Sequence, residues 1–350
     1  YFYKNDKYKF IDFANALTKA YEIQGSLCLG TSLNKLGYDH VFYVKIASGS
    51  VFSHLVNKGD ANATRRTVNN ILLDGPSLRA YRHFPNVGKR KSWAAADASK
   101  RGIELSIISS YQDEIYESVQ NEDKWGFETN FLDKSELGFG KDLNNWVIQN
   151  VLFKVLFPAE FHGQSAVEAA IKLSDEFNQN INKLEKVNIY THEPAVRIIS
   201  NKDILKNASD RDHSLEYMVA AALLYGDLKY EMYEESFQGF EKINNLRKKI
   251  FVTEEPQFTK DYYNFSKRHI SNSIEIVYND NSISEKITIE NPIGHPSRRA
   301  EAVPLMKEKF LRNVKSIFDT EKASEVWDKI INLKKDDNLN VFFNILIENE

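Results

Sequence analysis

Three consecutive cations, Lys89, Arg90 and Lys91, precede a run that reads Ser92, Trp93, Ala94, Ala95, Ala96. Alanine favours helix and serine favours the N-cap, so a helix is expected to start at Ser92 and continue through Leu105 and Ile108, with Gly102 as its weak point. The start of a helix carries partial positive charge and unpaired N–H groups. Cations there repel it, whereas an anion would reverse the sign of each interaction. The 81–108 stretch therefore reads as a seat for a carboxylate or phosphate; the plain alternative is a solvated basic turn. Pro85 and Gly88 keep the turn irregular, and His83 lies within it.

Other positions could join such chemistry. His40, in GYDHVF, precedes an apolar run, and an imidazole titrates near neutral pH, as a general acid or base must. It could equally be a capping or core histidine. Lys154 sits inside VLFKVLF, where a strand would turn it away from Phe153 and Val155. A lysine so placed either snorkels from an edge or serves a buried anion. His213 and Tyr217 are four apart, so on one helix they share a face; the alternative is a first-turn histidine and a packed tyrosine with its hydroxyl satisfied. PIGHPSRR, 292–299, puts two arginines in a turn that could clamp a carboxylate or act as a hinge.

The elements that must hold these residues follow from hydropathy. Residues 10–28 place Phe10, Phe13, Ala14, Leu17, Ala20, Tyr21 and Leu27 at helical spacing. Residues 41–52 read as a buried helix whose Ala47, Ser48, Gly49 and Ser50 allow close packing. A third helix covers 61–73 and stops at Gly75 and Pro76. The polar 113–145 segment, with Gly126, Gly138 and Gly140, is a candidate linker or surface excursion. The character then changes. Residues 147–157 and 186–199 read as strands. Residues 162–177 and 210–225 read as helices, the second capped by Asp210 or Asp212. Residues 273–289 suit a hairpin around Asn279, Asp280 and Asn281, and 310–333 return to helix. The expected fold class is mainly α with an inserted α+β domain. Its divisions are a helical part over 1–146, an α+β part over 147–297 and returning helices over 298–350.

Composition narrows the function classes. A length of 350 residues suggests about two domains. A hydrophobic fraction of 42 % and a charged fraction of 27 % are ordinary for a globular protein. The net charge of −3 gives no global attraction to nucleic acid or membrane, and neither partner is expected. The longest apolar run, 218–225, is far too short for a membrane span. The opening YFYKNDKYKF lacks the apolar centre of a signal peptide. One cysteine, Cys28, excludes an intrachain disulfide, a cysteine-held iron–sulfur cluster and a zinc knuckle. GxGxxG, Walker A, HExxH and GxSxG patterns are absent, so nucleotide cofactors, protease metals and hydrolase serines have no support.

YRHFPNVGKRKSWAAADASKRGIEL, GYDHVFYVKIASG, NVLFKVLFPAEFHGQSAVEAA, THEPAVRIIS, NASDRDHSLEYMVAAALLYG and PIGHPSRR together resemble the MmgE/PrpD family, in order and over nearly the whole chain. The resemblance implies a homodimer whose subunit has a large helical domain and a smaller α+β lid. It implies lyase chemistry on tricarboxylates with no metal or organic cofactor, nearest to members that dehydrate 2-methylcitrate to 2-methyl-cis-aconitate in propionate catabolism. Rival readings are a cis-aconitate decarboxylase, another lyase or isomerase of the family, or a catalytically silent tricarboxylate binder. It also implies a cytoplasmic protein, or a mitochondrial matrix protein if the source is a eukaryote. Family catalytic positions fall on His40, Lys91, Lys154 and Tyr217. Candidate substrate-binding residues are Arg90, His83, His162 and His213. The family's N-terminal Asp, Thr and His set lies upstream of anything in this chain, so about a quarter of a member is expected to precede Tyr1. The expected arrangement is a cationic pocket shared by a helical body and a mobile cap.

Overall fold

The computed structural model describes residues 6–83 and 85–347. Residues 1–5, part of the segment read above for a signal peptide, lie outside the described residues, as do Phe84 of the basic turn and 348–350. The chain divides into two compact units, Tyr1–Val151 with Val314–Glu350, and Leu152–Asn313. The divisions expected from the sequence lie at 146/147 and 297/298. Most described residues outside loops are helical, with one small sheet.

Unit 1 is built on four helices: α1 (Phe10–Gly30), α2 (Val41–Val56), α3 (Ala61–Asp74) and α4 (Arg90–Ser109). Helix α2 is apolar or small on nearly every side and accordingly forms the centre, with Phe42, Tyr43, Ile46, Gly49 and Phe52 all buried. Its small face meets α4 backbone to backbone. A Cβ on Gly102 would stand 2.4 Å from the Lys45 carbonyl oxygen and 3.0 Å from the Gly49 nitrogen, so Gly102, the weak point of the helix reading, is what permits the contact. Ser48 Oγ donates to Ser99 Oγ at 3.1 Å beside it. Asp60 caps α3 by accepting from the Asn62 N–H at 2.8 Å.

The 113–145 segment is not a linker. Phe127 stacks on Phe42 with centroids 5.1 Å apart, and Leu132 is fully buried in the same cluster. The Gly140 N–H donates to the Ser26 carbonyl at 2.9 Å. The polar composition hid these buried anchors, and Val119, Phe131 and Leu137 pack against the same cluster. At the other end of the chain, helices Thr320–Ile331 and Leu339–Ile347 belong to this unit, and Phe342 stacks on Phe13 with centroids 5.6 Å apart. The single helix expected over 310–333 is two helices, because Asp319 caps a new start by accepting from the Lys322 N–H at 2.8 Å.

Unit 2 carries a four-stranded sheet in the order β2-β1-β3-β4. Strands β1 (Leu184–Thr191) and β2 (Ile250–Glu254) are parallel, while β3 (Asn272–Tyr278) is antiparallel to both β1 and β4 (Ile287–Ile289). The expected hairpin is therefore β3 and β4. Helices α5 (Gln164–Asn180) and α6 (Leu215–Tyr225) complete the core, and α6 is buried from Leu215 through Leu223. Helix α7 (Arg299–Val314) closes the unit's sequence.

Several expected boundaries need correction. Residues 147–157 form no strand: Trp146–Asn150 is helical, and 151–157 are irregular. The Glu22 carboxylate accepts from the Ile148 N–H at 2.8 Å and so nucleates that turn. Strand β1 ends at Thr191 rather than 199, because Pro194 opens helix Glu193–Ile199. Neither Asp210 nor Asp212 caps α6; Ser214 does, accepting from the Tyr217 N–H at 3.3 Å. Among the described residues no helix is long and apolar enough to cross a membrane.

Candidate active site

The site residues of unit 1 converge on a carboxylate that the sequence reading did not single out. Asp39 is fully buried, at the entry to α2. Arg82 Nε donates to its Oδ2 at 2.6 Å, the Tyr81 hydroxyl donates to the same oxygen, and the Val41 N–H donates to Oδ1 at 3.2 Å. A buried carboxylate needs such donors to remain charged. Burial opposes its ionisation, but the hydrogen bonds from Arg82 and Tyr81 outweigh it and hold Asp39 below the usual carboxylate range.

His40 occupies the N-cap position of α2 without capping it. Its Nδ1 lies 3.2 Å from Asp39 Oδ1 and 3.2 Å from an Arg79 terminal nitrogen. Burial pushes the imidazole down to about 4; Asp39 pulls it upward, and Arg82 and Arg79 add to the depression. The ring is therefore neutral near pH 7. Arginine only donates, so its contact asks Nδ1 to accept and leaves the ring proton on Nε2. A proton gained at Nδ1 would turn toward Asp39 instead. The same Arg79 donates through Nε to His83 Nε2 at 3.1 Å and to Asn34 Oδ1 at 3.0 Å.

The basic turn differs from expectation at its helix start. Helix α4 begins at Arg90 with Lys89 at the N-cap. Ser92 is not the cap; its hydroxyl donates back to the Lys89 carbonyl at 2.7 Å. The Lys91 and Ser92 N–H groups donate to the Gly88 and Lys89 carbonyls at 3.2 and 3.1 Å. The cationic side chains, more than open amides, are thus what this end offers an anion. Arg90 is held between Tyr81 and Trp93, 5.3 and 4.5 Å from their ring centroids. Tyr81 in turn is bonded to Asp39. His40, His83 and Arg90 are therefore joined through Asp39, Arg79 and Tyr81, and Lys91 follows Arg90 on the first turn.

In unit 2 the expected residues each have their own partners. Lys154 is exposed on the irregular 151–157 segment, and its carbonyl accepts from Lys309 Nζ. His162 Nδ1 lies 2.9 Å from Nε2 of the buried His192, which burial and His162 push down to about 3. Tyr262 stacks on His192 at 4.8 Å. His213 bonds Asp212 Oδ1 at 2.6 Å from the turn before α6, so it does not share a helix face with Tyr217. Tyr217 is fully buried, and its hydroxyl donates to the Met232 carbonyl at 2.6 Å. The PIGHPSRR turn does clamp carboxylates, but the protein's own: Arg298 donates to both oxygens of Glu168 at 3.0 and 2.9 Å and to Glu301 at 2.8 Å. Among the described residues no cluster of His, Cys, Asp and Glu could hold a metal ion.

Asp39, Arg79, Arg82 and His192 escaped the sequence reading. Asp39 adjoins His40 in the quoted GYDHVF, and Arg82 and His192 lie in the quoted YRHFPN and THEPAVRIIS stretches, which are the signals that could have drawn notice.

The MmgE/PrpD N-terminal domain profile matches residues 5–140, and the MmgE/PrpD C-terminal domain profile matches residues 157–335. The chain belongs to the MmgE/PrpD family. Among curated relatives, a 2-methylcitrate dehydratase of Escherichia coli (strain K12) is 40 % identical over 318 residues, covering 89 % of this chain and 65 % of the relative. One from Salmonella typhimurium (strain LT2) is 40 % identical over 321 residues, covering 90 % and 65 %. A mitochondrial 2-methylcitrate dehydratase of Yarrowia lipolytica is 37 % identical over 322 residues, covering 91 % and 62 %. The chain thus spans less than two thirds of the length of each of these curated relatives.

Proposed function

We propose that the protein carrying this chain is a hydro-lyase that dehydrates 2-methylcitrate to 2-methyl-cis-aconitate. The observation that carries this reading is 40 % identity, over 89 % of the chain, to a relative named for that activity. In the reaction a base removes the proton alpha to a carboxylate, the C–OH bond breaks, a carbon–carbon double bond forms and the hydroxyl departs as water. The substrate brings three carboxylates, so cations must hold it as negative charge builds.

On unit 1, Lys91 and Arg90 are the groups for one carboxylate, with Arg90 held between its two aromatic rings. His40 is the acid–base residue. Its neutral form suits proton transfer near pH 7, and Asp39 stands ready to receive the N–H of a protonated ring. His83 would steady Arg79. On unit 2, Lys154 would take another carboxylate, with His162 and His213 as further polar contacts. Tyr217 enters the reaction only after its hydroxyl leaves the Met232 carbonyl. A large helical body with an α+β cap, and assembly as a homodimer, belong to the same reading.

The test is the full-length protein with 2-methylcitrate, following the unsaturated product by its ultraviolet absorbance. Appearance of that product, with citrate and cis-aconitate as slower or inert controls, is expected. Decarboxylation of cis-aconitate in its place would overturn the assignment.

A further inference from the structure

The irregular stretch 152–157 lies along α7 within unit 2. Lys309 Nζ donates to the Lys154 carbonyl, and an Arg312 terminal nitrogen reaches the Leu156 carbonyl at 3.5 Å. Arg299 lies 4.7 Å from the Phe153 ring centroid. Lys309 and Arg312 are three apart on α7, so their side chains share one face. That face is turned to the segment carrying Lys154.

The charge balance here is unusual. Burial pushes the Lys309 ammonium below its ordinary range, and the charged neighbours that add to the depression, Lys154 and Arg312, are both cations. Just before the start of α7, Arg298 already serves Glu168 and Glu301. One bond to a carbonyl uses one of the three donors of Lys309, and the long contact uses at most one of the five of Arg312. What remains is an array of N–H donors of one sign, whose mutual repulsion an oxyanion would relieve.

We propose that Lys154, Lys309 and Arg312 form an oxyanion seat on unit 2, and that Lys309 and Arg312 join Lys154 in holding a substrate carboxylate; the carboxylate's source rests on the function proposed above. The seat would read charge and geometry and leave the carbon skeleton unread. Inorganic phosphate presents the same oxygen chemistry and should compete.

The experiment uses the full-length protein with Lys309→Met, Arg312→Gln and the charge-retaining Lys309→Arg, each checked by thermal melting. Arg312→Gln gives up only a long contact, so it keeps the test open if Lys309→Met fails to fold. Steady-state kinetics should show KM for 2-methylcitrate rising about tenfold in Lys309→Met and Arg312→Gln with kcat little changed, and Lys309→Arg restoring most of the loss. A purely structural role would lower melting temperature without this split. Calorimetry with tricarballylate, which has three carboxylates and no hydroxyl to lose, reads the seat without turnover. Binding by wild type, weakened about tenfold in both variants and displaced by phosphate, supports it even where no dehydration is seen. Wild-type KM and tricarballylate affinity in both variants would overturn the seat while leaving the dehydratase reading standing. Tricarballylate binding that weakens in both variants, in a wild type that does not dehydrate 2-methylcitrate, would remove the activity but keep the seat. Failure of wild type to bind tricarballylate would overturn the seat.

Discussion

Asp39 Oδ1 and His40 Nδ1 lie 3.2 Å apart in the same turn that opens α2. The carboxylate is buried and committed to Arg82, Tyr81 and the Val41 N–H, so it cannot move toward the imidazole without releasing them. It is a fixed counter-charge beside a ring that burial keeps neutral.

Asp39→Asn should therefore damage the fold before it damages chemistry. It leaves the Arg82 guanidinium facing an amide in a buried position, and loss of one partner from such a pair costs about 3–5 kcal/mol. Urea denaturation measures it. A loss below about 1 kcal/mol would mean that the carboxylate is not the hub described.

Arg79→Gln should raise the His40 titration modestly above about 4, because a cation that opposes protonation is removed while burial and Arg82 still hold the ring down. NMR of the ring protons reads this directly. An unmoved or lower value would show that Arg79 does not add to the depression that burial imposes on His40.

Both His40, at about 4, and His192, at about 3, titrate below the ordinary histidine value. Between those values and about 6.5 the unfolded chain binds more protons than the folded one, so stability is greatest above 6.5 and falls as pH drops through that window. Urea midpoints from pH 7.5 down to 4.5 should decline. Replacing His192 with Asn should flatten part of the decline; an unchanged slope would remove His192 from the account.

Lys91→Ala should lower kcat/KM for 2-methylcitrate in the full-length protein by about a hundredfold while leaving the melting temperature within a few degrees. Near-normal turnover would take Lys91 out of the site.

Gly102→Ala tests the α2–α4 contact. The new methyl would stand 2.4 Å from the Lys45 carbonyl oxygen, so the helices must separate, at a cost of about 1–3 kcal/mol. A neutral effect in thermal melting would show that the two backbones can part freely.

What could be read in advance followed from periodicity and side-chain volume. Residues 41–52 gave their apolar and small faces plainly, and α2 with its Gly49 and Gly102 contact answers to both. The alternation in β3 and the apolar run of α6 were equally visible. The failures share a cause. Glu22 nucleates the helix at Trp146–Asn150, far away in sequence, where local composition favours strand. Phe127 and Leu132, with the partly buried Val119, Phe131 and Leu137 beside them, anchor a polar segment through a few scattered apolar side chains. In the site, His40 and Arg90 stood out by type, but Asp39 became the hub through Tyr81 and Arg82, which only folding brings to it.

The Phe10 N–H donates to the Asp337 carbonyl at 2.8 Å, and Phe342 seals the start of α1. Unit 2, by contrast, is one uninterrupted stretch of chain. On a translating ribosome the inserted unit can finish folding while its host still waits for residues near 337 and 342 to emerge.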